Sequence, residues 1–391
     1  MSFTRRLTLT GVVWLVGLGG LRLSFLAPEV CPLVDDDVAL DAAVSAAVWI
    51  EAGQERDGRY LYEYDRNANE ARPGYNIVRH AGVTMSLYQL ASAGVGDSLP
   101  AADAGLDLML DALVPAGDGR ALIEPGARNP RLGASALMAA ALEDRRDATG
   151  DRRYDDELRA LGRFLVGLIE PDGRALASYD LDLDAPIPGE TSRYATGEAG
   201  WALARLHSIF PDEGWDTPAR AVADYLATER DAAEGLDFRP WPDQWAAYLL
   251  AELGPSMLDA HHIEYARALA ERFGMLVRVE SQKDGWPPTV VDPRARGAGL
   301  GVWVEALGSL ERLAAIDARL ADLRPALAAR LACGASLLVE RQVDEARAGT
   351  FAAPELVRGA WFREGVTRMD DQQHALSGLL AAAGRFGTHA P

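Results

Sequence analysis

The chain has 391 residues, 49% of them hydrophobic and 25% charged, a composition that excludes an intrinsically disordered chain and supplies a large core. Its formal net charge of −19, with no Lys/Arg-rich run to offset it, excludes nucleic acid as an expected partner. The two cysteines, Cys31 and Cys333, have neither CxxC spacing nor histidine neighbours, so no metal and no cofactor is expected, and their pairing stays open.

Residues 1–30 carry Arg5 and Arg6, then an apolar run from Leu7 to Gly20 that Leu21 to Ala27 extends past Arg22. A charged start followed by a short apolar stretch predicts a signal peptide or signal anchor. Residues 7–27 are the candidate membrane anchor, although the uninterrupted run is shorter than the about 20 residues of a full span. The rest of the chain is therefore expected outside the cytoplasm: periplasmic, extracellular or membrane-anchored and facing outward. Residues 31–36 read as a linker and 386–391 as a tail.

Between them, over residues 37–385, one plan repeats six times: an amphipathic helix, a turn, an extended stretch, and a helix of small and apolar residues. The first unit runs from a helix over 37–52 through Asp57-Gly58 and RYLYEYD to a helix over 77–92. The latter opens on Tyr75-Asn76-Ile77-Val78-Arg79-His80. Asn76 suits a helix cap, Arg79 a carboxylate or sugar hydroxyls, and His80 general acid–base work. The second unit has helices over 102–114 and 132–143 around Asp118-Gly119 and RALIEP, and its second helix, with GASALMAAAL, is small and apolar on every face.

In the third unit, helices over 153–168 and 196–207 flank Asp172-Gly173 and RALASYD. Tyr194 and Glu198 stand at the second helix's start, and Glu198 is either an acid facing a pocket or a first-turn dipole partner. The fourth unit, with helices over 216–229 and 242–253 around Glu234-Gly235, opens its second helix on Trp241-Pro242-Asp243-Gln244-Trp245. Asp243 is an acid–base candidate, and Gln244 and Trp245 suit a sugar's hydroxyls and ring face.

The fifth unit begins at 259–275 with His261-His262, a pairing that suits a solvated helix start better than a metal site, and continues through Asp284-Gly285-Trp286 to a helix over 300–314 holding Trp303 and Glu305. The sixth, with helices over 319–339 and 370–383 around Ala348-Gly349, opens its second helix on Asp370-Asp371-Gln372-Gln373-His374. Asp370 and His374, four apart, share a helix face, so the carboxylate can orient the imidazole.

Helices that are apolar all round need partners on every side, and amphipathic ones wrap them. The expected fold is therefore all-α: an (α/α)6 toroid of six helical hairpins, with the long loops at one end. This repeated plan, over about residues 37–385, resembles the six-hairpin glycosidase-like superfamily. The resemblance implies a sugar substrate bound in a funnel at the loop end by residues at inner-helix starts. The stretch Trp303-Val304-Glu305-Ala306-Leu307 is similar to one in the N-acylglucosamine 2-epimerase family, another toroid. Terpene-cyclase DxDD and QW motifs and the zinc ligands of lanthionine cyclases are absent from the sequence.

Ring order places His80, Asp370, Asp371 and His374 on one wall of the funnel, with Glu198 and Asp243 opposite. Carboxyl pairs across a cleft serve glycoside hydrolysis, at separations of about 6.5–9.5 Å in inverting enzymes. The sequence thus points to a glycoside hydrolase with Glu198, Asp243, Asp370 and Asp371 as acid–base candidates. Tyr75, Asn76, Arg79, Tyr194, Gln244, Trp245, Trp286, Trp303 and Glu305 would contact the carbohydrate. A sugar or uronate epimerase using His80 and His374, and a non-catalytic glycan-binding or scaffold protein, are the alternatives.

Overall fold

A computed structural model describes residues 3–25, 28–284 and 294–385. Helix α1 (Phe3–Phe25) exposes its apolar side chains, Trp14 at 66% and Leu15 at 72%. No described helix is long and apolar enough to cross a membrane, and residues 26 and 27 of the candidate anchor lie outside the described residues.

The helices that follow are α2 (Asp36–Ala52), α3 (Ile77–Ser92), α4 (Leu99–Asp111), α5 (Leu132–Thr149), α6 (Asp155–Gly167), α7 (Ala195–Ile209), α8 (Asp216–Thr228), the short α9 (Arg230–Ala233), α10 (Gln244–Leu253), α11 (Ala260–Ser281), α12 (Gly297–Ile316), α13 (Arg324–Arg341), the short α14 (Glu345–Ala348) and α15 (Met369–Ala382). Helices α3, α5, α7, α10, α12 and α15 each pack on the next, and α15 packs back on α3, closing an inner ring. Helices α2, α4, α6, α8, α11 and α13 wrap it. The expected (α/α)6 toroid is the observed fold.

Sequence explains the two layers. On α5 every residue from Leu132 to Arg145 is buried, whereas α6 buries Leu158, Leu161, Phe164 and Leu165 and leaves its acidic first turn to solvent. Inner helices also approach through glycine. A Cβ added to Gly301 on α12 would lie 2.3 Å from the carbonyl carbon of His374 on α15.

Short strands line the loop end. β1 (Glu63–Asp65) pairs antiparallel with β2 (Glu70–Arg72), β3 (Leu113–Ala116) with β4 (Gly119–Leu122), and β5 (Tyr179–Asp180) with β6 (Ala185–Pro186). β7 (Val366–Arg368) pairs with β1, Thr367 opposite Tyr64, joining the last loop to the first. The stretches LDFRPW and TFAAPE form no strand, and WPPTVV lies outside the described residues.

The turn glycines of the first three units have a packing role, whereas Gly235 of the fourth meets nothing within 4 Å. Added Cβ atoms at Gly58, Gly119 and Gly173 would strike backbone carbonyl oxygens of Ala104, Ala160 and Ala221, each on the outer helix of the following unit, at 2.1, 2.2 and 1.9 Å. In the sixth unit this part falls to Gly359, against Ser45 of α2 at 2.1 Å, and not to the expected Gly349. Ala348-Gly349 merely ends α14, a helix too short for its periodicity to show in the sequence. The cysteines do pair: Cys31 and Cys333 form a disulfide that ties the segment before α2 to α13.

The Gly301 contact carries a direct test. Gly301→Ala should lower unfolding free energy by about 2–3 kcal/mol, as overpacked cores do. Gly299→Ala on the same helix meets nothing nearer than 3.8 Å and should be neutral or stabilising by up to ~1 kcal/mol. Denaturant unfolding of both variants compares them directly.

Candidate active site

The inner helices start at the loop end, so their first turns converge there. Glu305 lies one turn beyond Gly301 on α12, and the close crossing with α15 brings its Oε2 3.0 Å from His374 Nδ1. Glu305 is fully buried and the His374 side chain is 14% exposed. The buried Tyr248 phenol lies against Glu305, and its pKa is raised by burial and then by that charge. Burial works against a charged His374. The charge and hydrogen bond of Glu305, helped by Asp370 and Glu198, outweigh it and raise the pKa of His374 above 6.5. With Nδ1 held, Nε2 has no partner among the described residues.

Glu198, in the first turn of α7, is 6% exposed, and its carboxyl makes no hydrogen bond or ion pair among the described residues. It has room because Gly133 faces it, where a Cβ would lie 2.3 Å from Oε2. Burial pushes its pKa up to about 8; the charge of Asp243 adds to this and His374 opposes it. The carboxyl is thus protonated at neutral pH and can donate a proton.

The other three carboxylates differ in their partners. Asp243 caps α10, accepting from Trp245 N at 3.0 Å, and its other oxygen accepts from Arg230 Nη1 at 2.5 Å. Arg230 is itself fully buried on α9 and also donates to the Tyr265 hydroxyl at 2.9 Å. Burial raises the pKa of Asp243, and Arg230 and the capping N–H groups counter that. Asp371 accepts from Arg296 at 2.6 Å, from Ala298 N at 3.0 Å and from Arg368 N at 3.0 Å, which pins the starts of α12 and α15 together. Both are committed to structure. Asp370, in contrast, sits between Arg79 Nε at 3.2 Å and Arg368 Nε at 3.3 Å, with 12% of its side chain exposed.

His80 requires a correction. It is fully buried, its Nδ1 accepts from the Tyr75 hydroxyl at 2.5 Å, and its Nε2 donates to Gly105 O at 2.8 Å. Burial lowers its pKa to about 4, so it is a neutral core residue with both nitrogens occupied. Tyr75 is spent on this contact, and Asn76 is a cap accepting from Val78 N and Arg79 N.

Trp245 is buried, stacked 5.5 Å from Trp201 and 6.2 Å from His374, so its body forms the site's floor rather than an open platform. Gln244 is buried with Oε1 unpartnered among the described residues, and Trp303 is half-buried against the core. Tyr194 is 42% exposed and 6.4 Å from Trp241, over which Arg193 lies at 4.8 Å. Trp286 lies outside the described residues. Sequence reasoning passed over Arg230 and Arg296. Arg296 had a signal in its place just before an inner helix; Arg230, just past an outer one, had none.

No family model and no curated protein matches the chain. Solved structures do. An α-amylase from Clostridium perfringens is 11% identical, with 88% of this chain and 97% of that chain covered at a TM-score of 0.56. The cellobiose 2-epimerase of Spirochaeta thermophila DSM 6192 is 15% identical, covering 88% and 95% at 0.57. An inactive variant of the α-1,6-mannanase GH76A of Salegentibacter sp. HEL1_6, in complex with α-1,6-mannotetrose, is 13% identical, covering 90% and 100% at 0.53. At such identities the likeness shows the fold alone, the (α/α)6 toroid.

The contact between Glu305 and His374 is open to measurement. Glu305→Gln should lower the pKa of His374, read from its ring resonances in an NMR titration. His80 should show no titration above about pH 5, because its pKa is about 4.

Proposed function

We propose that the protein is an extracytoplasmic carbohydrate-active enzyme, a glycoside hydrolase in which Glu198 is the proton donor and Asp370 the ionised partner. The observation that carries this reading is Glu198, a buried carboxyl in the first turn of an inner helix with no ion pair among the described residues, pushed up to about 8. Its proton passes to the glycosidic oxygen as the C–O bond breaks. Asp370 takes a proton from the water that attacks the anomeric carbon. Arg79, which holds Asp370 and donates to the Tyr62 hydroxyl, lies within reach of sugar hydroxyls. The exposed ring of Tyr194 and its neighbour Trp241 supply an apolar face. Sugar-acting enzymes among the structural neighbours support the substrate class. Location outside the cytoplasm is supported by the charged and apolar leader and by the Cys31–Cys333 bond, which belongs in an oxidising compartment.

A second reading, a sugar or uronate isomerase or epimerase, is favoured by the His374 and Glu305 contact. There, His374 Nε2 removes a carbon-bound proton and Glu198 protonates the carbonyl oxygen. The version that pairs His374 with His80 fails because both His80 nitrogens are occupied.

Incubation with cell-envelope and plant polysaccharides in H2 18O, and separately in D2O, distinguishes these readings. Hydrolysis places 18O at new reducing ends. Epimerisation places deuterium on carbon without shortening the chain, and binding without either label leaves a non-catalytic glycan-binding protein. Glu198→Gln should cut turnover about 10²–10⁴-fold, and wild-type activity should fall as pH rises through about 8.

Stability gives a check independent of substrate. A raised carboxyl pKa favours the fold fully below its ordinary 4.5, and that stability is lost as pH rises through about 8. The melting temperature of Glu198→Gln should therefore fall less than that of the wild type between pH 5 and pH 8.

A further inference from the structure

Outer helices α8 and α11 bring together three metal-ligating side chains that take no part in the funnel: Asp224 on α8, and His261 and His262 in the first turn of α11. Consecutive residues on a helix point about 100° apart and do not face one another. Here both imidazoles nevertheless turn to one carboxylate. His261 Nε2 is 2.7 Å and His262 Nε2 3.1 Å from Asp224 Oδ1. The two rings are 4.0 Å apart, and the three ligand atoms lie within 4.8 Å of one another.

His262 adds an independent observation. It is 0% exposed, and its Nε2, aimed into the cluster, makes no hydrogen bond of acceptable geometry. The solvated helix start expected from the sequence describes His261, at 37% side-chain exposure, but not His262.

We propose that Asp224, His261 and His262 form a divalent transition-metal site that staples α8 to α11 on the outer wall of the toroid. Two imidazole nitrogens and one carboxylate oxygen suit Zn2+, Cu2+ or Ni2+ rather than Ca2+ or Mg2+, which prefer all-oxygen shells. Tetrahedral zinc, with bonds of about 2.0–2.1 Å, sets its donors about 3.3 Å apart. The two carboxylate–imidazole separations, 2.7 and 3.1 Å, open slightly to admit the ion, and the imidazole nitrogens, which lie within 4.8 Å of each other, draw together around it. Asp224 and His261 are partly exposed, so water can complete the shell.

Protonation decides how tightly the ion is held. His262 Nδ1 accepts the Asp259 backbone N–H at 3.1 Å, which puts the neutral ring's proton on Nε2. On binding, that proton moves to Nδ1 and the capping hydrogen bond opens, so affinity is reduced by the loss of one neutral bond. The first turn of α11 lies at the end of the toroid opposite the long loops, so the site is structural and independent of the proposed reaction.

The test uses the tag-free full chain stripped with chelator and titrated with Zn2+ by calorimetry and with Co2+ by absorption. One saturable equivalent is expected, with tetrahedral Co2+ bands and a melting temperature raised by about 2 °C or more in excess Zn2+. His261→Ala and Asp224→Asn change exposed positions and should keep the metal-free melting temperature while weakening Zn2+ at least about tenfold. Absence of saturable binding, or equal affinity in wild type and both variants, would overturn the site.

Discussion

A ring of six helices closes only if each lies against two neighbours and an outer layer at once. That leaves the inner helices no solvent face and little room for side chains where they cross. Glycine meets the constraint around the ring. Added Cβ atoms would lie 2.7 Å or closer to the next helix at Gly82 against Gln373, Gly133 against Glu198, Gly200 against Leu249 and Gly301 against His374. The functional groups depend on the same approach. Gly133 leaves space for the Glu198 carboxyl, and the crossing at Gly301 sets Glu305 within hydrogen-bonding distance of His374.

Closure also excludes water from the axis, and each acidic side chain then depends on its cation. Asp243 has Arg230, Asp371 has Arg296, and at the far end of the inner helices Arg205 lies 2.8 Å from Asp144, 3.2 Å from Asp147 and 3.5 Å from Glu143. Such buried pairs add little net stability, because desolvation offsets attraction, but removing one partner is costly. They fix helix starts and ends in register. Glu198 is buried among the same helices without a cation, and its pKa accordingly rises to about 8. Asp243, at the start of the neighbouring α10, raises it further while remaining held by Arg230, so one carboxylate's structural pairing tunes the other's chemistry.

The helices were legible because their determinants are local. Inner helices predicted at 77–92, 196–207 and 370–383 run Ile77–Ser92, Ala195–Ile209 and Met369–Ala382, since burial on nearly every face shows as small and apolar residues beyond a polar first turn. What each polar residue does was not legible, because its partner lies far along the chain. His80 and His374 both stand near inner-helix starts. The carbonyl of Gly105, on an outer helix, occupies one of them, and Glu305 orients the other. Asp370 and Asp371 are adjacent, yet Arg296, 75 residues from Asp371, takes one, while Arg79 and Arg368 flank the other. Helical period fixes which face a residue is on; only the closed ring determines what that face meets.

The join between the first and last units is made differently from the others. In the first three units a turn glycine docks on the next outer helix of a continuous chain. At this seam, besides Gly359 on Ser45, there are the β1–β7 ladder, Gln342 Nε2 donating to Ala42 O at 2.7 Å, Trp49 Nε1 donating to Leu356 O at 2.8 Å, and a disulfide spanning 302 residues. Chain entropy requires this: neighbouring units are held together by short connections, whereas the terminal units must be brought together across the whole domain, and the cost of closing a loop grows with its length. The funnel depends on that join. Arg79 from the first unit holds Asp370 from the last, so the proposed catalytic carboxylate reaches its place only when the ring is closed, and the fold and the site are completed by the same step.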